Sequence, residues 1–144
     1  MMEIVQISDM EDILNAYKSI ENVFPNLSQR VCIDEYLEKL AKNAEVIIIR
    51  SEQSIIGFLA AYMNNTTEKI AYISLIGVTS SFMGKGIGSK LFDCCVNMAK
   101  EKGMTKLRLE VDNDNISAIK FYEKHGMKFI SDASDFSIYM ERNL

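Results

Sequence analysis

The chain of 144 residues has no tryptophan, one proline, one histidine and three cysteines. With His125 as its single imidazole, it lacks the material for a zinc site or a Cys/His nucleophile pair. Cys32, Cys94 and Cys95 form an odd set without metal-ligand spacing. We therefore predict no metal, and reduced cysteines that pack as small hydrophobic side chains.

Long apolar runs are also missing, since no stretch approaches the roughly 18 residues that a membrane-spanning helix needs. The N-terminal stretch MMEIVQISDMED is acidic and lacks the basic n-region of a secretory signal. The formal net charge of −4 gives no electrostatic reason to expect nucleic acid or an anionic membrane as a partner. These features predict one cytoplasmic domain that spans residues 1–144.

The N-terminal part of the chain predicts one strand followed by two helices. Met2–Ile7 has the composition of a short strand, and Ser8 with Glu11 matches a capping box at the start of a helix. Helical spacing continues to Phe24, and the only proline follows it. Ser28 is expected to cap a second helix. The apolar face of that helix contains Ile33, Leu37 and Leu40.

The rest of the chain alternates further strands with two helices. EVIIIR and SIIGFLAAYM flank a polar turn and predict a hairpin, and IAYISLIGV predicts a third strand. These runs are nearly continuously apolar, as expected of a sheet that is covered on both faces. Further strands are expected at TKLRLEVD, MKFI and FSIYM, with a helix before and a helix after the first of them. The order β-α-α-β-β-β-α-β-α-β-β predicts an α+β fold with a single mixed sheet.

Three of the seven glycines, Gly84, Gly86 and Gly88, lie within five positions between a strand and an amphipathic helix. A helix N-terminus presents unpaired N–H groups and a partial positive charge, and residues without side chains allow a pyrophosphate to approach it. Lys85 and Lys90 add positive charge nearby. The stretch fits neither the dinucleotide-binding pattern nor the P-loop. It is therefore either an anion-binding loop of another kind or a turn that only reverses the chain.

Two motifs make the chain resemble the GNAT N-acetyltransferases. LIGVTSSFMGKGIGSKL is similar to the [QR]-x-x-G-x-[GA] signature of that family, at Met83, Gly86 and Gly88. LRLEVDNDNISAIKFYEKHGMKFI is similar to its N-x-x-A-x-x-F-Y-x-x-x-G-[FM] pattern. The matching positions there are Asn115, Ala118, Phe121, Tyr122, Gly126 and Met127. The resemblance implies an α/β/α layered domain, with about seven mostly antiparallel strands, a splayed central pair and helices on both faces.

The same resemblance implies acetyl-CoA as co-substrate. Its pyrophosphate would be held by the glycine loop and the first helical turn, at Met83, Gly84, Lys85, Gly86, Ile87, Gly88 and Ser89. Its pantetheine arm would pair with the strand backbone at Ile76 and Val78, and Asn115, Ala118 and Tyr122 would be further cofactor contacts. Met83 stands where the family usually has Gln or Arg, and losing that polar partner weakens cofactor binding by about 1–2 kcal/mol.

Gly77 lies inside the strand that would carry the pantetheine arm. A glycine within a strand marks a bulge or a close approach of backbone to another group. A bulge at this residue would splay the strand from its neighbour and open a cleft for the thioester.

Attack of an amine on a thioester requires a base for the amine and a proton for the leaving thiolate. Tyr122 occupies the position of the general acid in the family, and an ordinary phenol suits a thiol. Glu110, on the polar side of its strand opposite to Leu109, resembles a glutamate proposed as base in some N-terminal acetyltransferases of the family. It is equally a solvated carboxylate on a strand. The N–H of Ile76 is the expected oxyanion donor.

The acceptor is left open by the sequence, between a small amine, an amino sugar and a protein N-terminus. Phe24, Arg30, Tyr36 and the turn at residues 132–135 are the candidates to line its pocket. His125, near the end of a helix, is expected to have a surface role. The competing functions are a non-catalytic acyl-CoA-binding regulatory domain and an ATP-binding domain, and a homodimer through the terminal strands is an open alternative.

Overall fold

The computed structural model describes residues 1–144 and contains seven strands and five α-helices. In chain order these are β1 (Met2–Ile7), α1 (Met10–Ser19), α2 (Leu27–Arg30), α3 (Ile33–Asn43), β2 (Ala44–Ser51), β3 (Ser54–Tyr62), β4 (Ile70–Val78), α4 (Ile87–Glu101), β5 (Lys106–Asp112), α5 (Ile116–Lys124), β6 (Lys128–Asp132) and β7 (Ser137–Asn143). Apart from the short helix α2, this is the predicted order of elements. No helix combines the length and apolar character that crossing a bilayer requires.

The strands form one sheet in the order β1-β2-β3-β4-β5-β7-β6, in which only β4 and β5 are parallel. Side chains alternate along β2, so that Val46 and Ile48 belong to one hydrophobic core while Ile47 and Ile49 belong to another. The first core contains residues of α1 and α3, and the second contains residues of α4. The α/β/α layering and the mostly antiparallel sheet are thereby confirmed.

The predicted helix starts near the N-terminus are wrong. Helix α1 begins at Met10 and is capped by Asp9, whose carboxylate accepts a hydrogen bond of 2.7 Å from the Glu11 amide. Aspartate caps a helix as well as serine does, and its charge also favours the positive end of the helix dipole. Ser28 lies inside α2 instead of capping a helix, and α3 begins after Cys32 without a side-chain cap.

Helix α1 also ends earlier than its apolar spacing suggested. The Ser19 hydroxyl donates a hydrogen bond of 2.8 Å back to the Ala16 carbonyl, a bond that competes with the helical ladder. A 3-10 turn at Glu21–Val23 follows, so Phe24 lies outside the helix. Of the three free cysteines, Cys95 is buried but Cys32 is exposed, which corrects the prediction that all three pack inside.

Strands β4 and β5 separate halfway along their length. They pair only from Ile70 opposite Lys106 to Ile73 opposite Leu109, whereas β4 continues beside β3 as far as Val78. The splayed pair is therefore confirmed. The predicted position of the bulge is wrong, because the register with β3 shifts at Ser74. The register of two paired strands is set by the hydrophobic pattern of both strands, so a glycine in one of them does not determine where a bulge forms.

At Gly77 the strand backbone instead closely approaches neighbouring side chains, which is the other expectation for a glycine within a strand. A Cβ at this position would lie 2.6 Å from ring atoms of Phe24 and 2.6 Å from Val23 Cγ1. Because a packed core has no room for such an atom, we expect Gly77→Ala to lower the free energy of unfolding by about 1–3 kcal/mol. Urea denaturation measures this loss. Combining the change with Phe24→Leu removes the nearest ring and should recover part of it, and an unchanged midpoint in Gly77→Ala would contradict the packing.

Candidate active site

The glycine loop between β4 and α4 presents an open backbone. Gly84 and Gly86 have φ values of +77° and +82°, in the left-handed region that side chains disfavour. A Cβ at either residue would meet no atom within 4 Å, so the space in front of the loop is empty of protein. Both glycines are needed for backbone conformation, and their exposed faces leave room for a ligand.

Helix α4 starts directly from this loop without a side-chain cap. Gly86 is its N-cap residue, and the first helical hydrogen bond runs from Lys90 N to Gly86 O at 3.1 Å. The earlier N–H groups of the helix thus have no helical partner, and the positive end of the helix dipole faces the loop. Such an end is suited to an anion.

Side chains around the loop are exposed and partly cationic. Lys85 places its Nζ 5.2 Å from the centroid of the Phe82 ring, and Lys90 points to solvent. Met83 is 66% exposed, and this apolar side chain offers an anion no polar partner. Attraction of an anion to the loop therefore depends on backbone amides and lysines.

Gly88 has a different role from the two preceding glycines. A Cβ there would lie 3.3 Å from the Phe121 ring and 3.8 Å from Val78 Cγ2. Its missing side chain lets the first turn of α4 pack against α5 and the end of β4. The glycine loop, the β4 edge and the motif on α5 are brought together at this point.

Beyond the splay, the edge of β4 is unpaired on the side of β5. The Thr79 amide donates to the Ile56 carbonyl at 2.9 Å, and along a strand the backbone groups of successive residues point alternately toward one neighbouring strand and toward the other. By this alternation the N–H and C=O groups of Ile76 and Val78 point away from β3, into the gap. These two predicted backbone contacts therefore lie on the same open edge.

Helix α5 carries Asn115 and Tyr122. The Asn115 side chain caps the helix by accepting a hydrogen bond of 3.3 Å from the Ala118 amide. Tyr122 is half-buried, and its ring centroid lies 6.5 Å from that of Phe92 and 5.6 Å from that of Phe121. Burial raises the pKa of Tyr122 to about 12, above the ordinary phenol value on which the sequence argument relied. This hydroxyl keeps its proton at any physiological pH.

Glu110 lies on β5 with its side chain exposed, opposite to the buried Leu109, as predicted. Its Oε2 accepts a hydrogen bond of 2.6 Å from the hydroxyl of Ser137, the one buried polar residue of the chain. The Ser134 hydroxyl lies 2.8 Å from the Ser137 hydroxyl. Because Ser137 uses its hydrogen to donate to Glu110, Ser134 is the donor in this second hydrogen bond. The carboxylate is thereby held in place. Sequence reasoning missed both serines, because only the pairing of β5 with β7 brings them near Glu110.

Tyrosines share the sheet face with Glu110. Tyr139 in β7 pairs directly with Glu110. Tyr72 is close to the same carboxylate, and the pKa of its phenol is raised to about 12, first by burial and second by the charge of Glu110. The Tyr36 hydroxyl, from α3, is 2.6 Å from the hydroxyl of Ser74 at the bulge. The surface in front of Glu110 is therefore formed by aromatic rings and hydroxyls.

Two of the residues expected at an acceptor pocket lie on this side of the sheet. They are Tyr36 and Arg30. Arg30 joins α2 to the end of β5 through a salt bridge of 3.1 Å to Asp112. Phe24 packs instead against Tyr17 and Phe58, with ring centroids 6.3 Å apart in each pair.

His125 differs from the expected surface histidine. It is half-buried at the end of α5, with Nδ1 2.8 Å from the Phe121 carbonyl oxygen and Nε2 3.0 Å from the Ser89 hydroxyl. The imidazole thus connects α5 to the first turn of α4. The 36 positions that separate Ser89 from His125 explain why no sequence motif revealed this contact.

Comparison with known proteins places this geometry in a family. The model of the acetyltransferase (GNAT) family matches residues 8–127 of the chain. The chain therefore belongs to the GNAT acetyltransferase family.

Individual relatives agree with that assignment. Streptothricin acetyltransferase A from Bacillus subtilis is 39% identical over 69 residues, which are 48% of this chain and 39% of that protein. The first curated relatives are matched over only 28% to 39% of their own length. An IAA acetyltransferase from Bacillus cereus is 25% identical over the whole of both chains, with a TM-score of 0.79. A GNAT family acetyltransferase from Elizabethkingia anophelis, solved with acetyl-CoA bound, has the same fold (TM-score 0.73, 18% identity, 99% of this chain and 98% of that one).

Proposed function

We propose that this protein transfers the acetyl group of acetyl-CoA to a primary amine, by direct attack within a ternary complex. The observation that carries the proposal is the junction at Gly88, where an uncapped helix N-terminus, an unpaired strand edge and the helix of Tyr122 meet. Membership of the GNAT acetyltransferase family supports the same reaction.

In this proposal the cofactor lies along the loop and the strand edge. The amides of residues 83–89 bind the diphosphate, with Lys85 adding positive charge. The backbone of Ile76 and Val78 pairs with the amides of the pantetheine arm, as an added strand pairs with a sheet edge. Asn115, Ala118 and Tyr122 contact the same cofactor from α5. Acetyl-CoA supplies the activated acetyl group.

The chemistry begins with removal of a proton from the acceptor. An alkylamine with a pKa near 10.4 is neutral only about one time in a few thousand at pH 7, which costs about 4–5 kcal/mol. Glu110 accepts that proton, directly or through water, while Ser137 holds its other oxygen. The nitrogen lone pair then forms the C–N bond, and the Ile76 amide stabilises the negative charge on the carbonyl oxygen.

Collapse of this adduct breaks the C–S bond and leaves a thiolate. The adduct nitrogen carries one proton more than the amide and loses it as the C–S bond breaks. Tyr122 donates its hydroxyl proton to the sulfur and regains this proton, or it donates a hydrogen bond while the sulfur takes the proton through water. With a pKa of about 12 the phenol is a weaker acid than an ordinary tyrosine, so hydrogen bonding contributes more than complete proton transfer. The products are an amide and CoA with a free thiol.

The face around Glu110 favours a cationic acceptor. Aromatic rings and a carboxylate attract an ammonium group, which then loses a proton to the same carboxylate. The relatives do not select one acceptor, because their names refer to mycothiol, to streptothricin and to an alanine of ribosomal protein bS18. A small amine, an amino sugar and a protein N-terminus all fit this chemistry.

The proposal is tested by incubating the protein with acetyl-CoA and a panel of amines while a thiol reagent records free CoA. Release of thiol that depends on an amine, with the matching acetylated product by mass spectrometry, is the expected result. Saturable binding of acetyl-CoA without thiol release for any amine would instead support a non-catalytic acyl-CoA-binding domain. ATP serves as the control ligand, and we expect weaker thermal protection from it than from CoA.

The pH dependence of kcat/KM follows from the two proton steps. The value should rise between about pH 6 and pH 9, because the neutral fraction of the amine increases. It should not fall again below about pH 10, because a Tyr122 pKa of about 12 keeps the acid protonated there. Initial rates at saturating acetyl-CoA and low amine concentrations measure this profile. A descending limb centred between about pH 8 and 9 would contradict the role of Tyr122.

A further inference from the structure

His125 is the only histidine of the chain, and the proposed chemistry does not use it. Its ring is nevertheless held at both nitrogens, by the Phe121 carbonyl at 2.8 Å and the Ser89 hydroxyl at 3.0 Å. The ring also packs on two aromatic side chains, with centroid distances of 5.0 Å to Phe92 and 4.4 Å to Phe121. An imidazole fixed in this way has a defined tautomer.

A carbonyl oxygen only accepts hydrogen bonds, so Nδ1 must carry a hydrogen. In the neutral ring Nε2 is then unprotonated and accepts the hydroxyl hydrogen of Ser89. Ser89 is the third residue of α4, in the uncapped first turn beside the glycine loop. Because the only hydrogen of the Ser89 hydroxyl is donated to His125, this hydroxyl cannot donate a hydrogen bond to an anion.

Protonation of the ring reverses this hydrogen bond. The added hydrogen on Nε2 donates to Ser89 Oγ, and the hydroxyl hydrogen of Ser89 is released to donate elsewhere. An anion bound at the uncapped start of α4, where Ser89 is the third residue, would accept this hydrogen, and the imidazolium charge favours an anion as well.

We propose that His125 is a positioning residue which couples proton uptake to binding of the CoA diphosphate, through the hydroxyl of Ser89. The coupling rests on the proposed function, because it requires the diphosphate at the start of α4. Binding of the diphosphate then favours the protonated ring, and by thermodynamic reciprocity a protonated ring favours binding. CoA affinity therefore increases as the pH falls.

Other charges also face the groove that contains the imidazole. They come from every element around it: Asp93 on α4, Lys124 on α5, Lys128 on β6, and Glu141 and Arg142 on β7. The Arg142 guanidinium donates a hydrogen bond of 2.9 Å to the carbonyl of His125 itself. Acids and bases are therefore mixed around the ring, and none of these groups lies between its Nε2 and Ser89.

The single histidine makes the test direct. Nitrogen-15 NMR of the imidazole reports its tautomer and its protonated fraction without any overlap from other histidines. In the free protein at pH 7.5 we expect the Nδ1–H tautomer, and saturating CoA should increase the protonated fraction. Ser89→Ala should bind CoA without that increase, and Ser89→Thr, which keeps the hydroxyl, should restore it.

Calorimetry provides the second readout. Dephospho-CoA is the probe, since it keeps the diphosphate but lacks the terminal phosphate monoester, which itself titrates near pH 6. Its Kd should increase on the order of tenfold from pH 6 to pH 8 in the unchanged protein. His125→Gln, which keeps a hydrogen-bonding side chain but does not titrate there, should show no more than about a twofold change.

Three results would overturn the proposal, and they reject different parts of it. Saturable binding of CoA with an unchanged imidazole spectrum, or an equal pH dependence in His125→Gln, would reject the coupling alone. Failure of CoA to bind the folded protein at any pH would reject the proposed function and the coupling with it. Ser89→Ala provides the same comparison if His125→Gln does not fold.

Discussion

Tyr122→Phe should lower kcat for acetyl transfer by about 100-fold, while KM for acetyl-CoA changes little. The change removes one oxygen and keeps the ring that packs on Phe92 and Phe121. General acid catalysis contributes about 10²- to 10⁴-fold, and the lower end suits a phenol whose pKa is raised to about 12. The loss should appear in kcat because the hydroxyl assists only when the thiolate forms.

Steady-state kinetics with thiol detection measure this effect, with Tyr62→Phe as the matched control. Tyr62 is also half-buried with a pKa raised by burial, but it belongs to the core on the other side of the sheet. Its replacement should leave kcat within about twofold. Undiminished turnover in Tyr122→Phe would remove this residue from the mechanism, and an equal loss in both variants would indicate a general effect on folding.

Gly86→Ala should weaken CoA binding by at least about tenfold. The added methyl group meets no protein atom, so a loss of affinity would not come from a clash within the protein. The residue would also have to keep a φ of +82°, which costs about 1–2 kcal/mol and shifts the first amides of α4. Charge-assisted hydrogen bonds to the diphosphate depend closely on that geometry.

Gly103→Ala is the matched control, because it separates a loss of CoA affinity from a loss of stability. Gly103 has a φ of +81° and, like Gly86, open space around its Cβ position, but it follows the other end of α4. Both variants should lose similar stability in urea denaturation, and only Gly86→Ala should lose affinity by calorimetry. Equal affinities for CoA in the two variants would contradict a binding role for the loop.

Much of the fold was accessible from the sequence because periodicity and glycine placement are local signals. The near-continuous apolar runs of β2 and β3 correctly predicted a sheet with a core on each face. The clustered glycines Gly84 and Gly86 were correctly placed in a loop before a helix, and both have a left-handed backbone conformation. Helix starts were less accurate, since Ser8 and Asp9 are both good caps and only packing of the helix decides between them.

The supporting contacts of the site were not accessible, because they join residues that are distant in the chain. Ser137 meets Glu110 only through the pairing of β7 with β5, and His125 meets Ser89 only because Gly88 lets α5 approach α4. The bulge at Ser74 depends on the register of β4 against β3. Motifs pointed to the residues that we propose contact the cofactor, and tertiary structure was needed to find the groups that hold those side chains in place.

The proposed cofactor binding depends most on the loop amides, and an amide NMR titration of the labelled protein with CoA tests them directly. We expect saturable shifts that are largest at the amides of residues 83–89, with smaller shifts at Ile76 and Val78. Absence of saturation at millimolar CoA from folded protein, or saturable shifts confined to other surfaces, would contradict a diphosphate site at the start of α4.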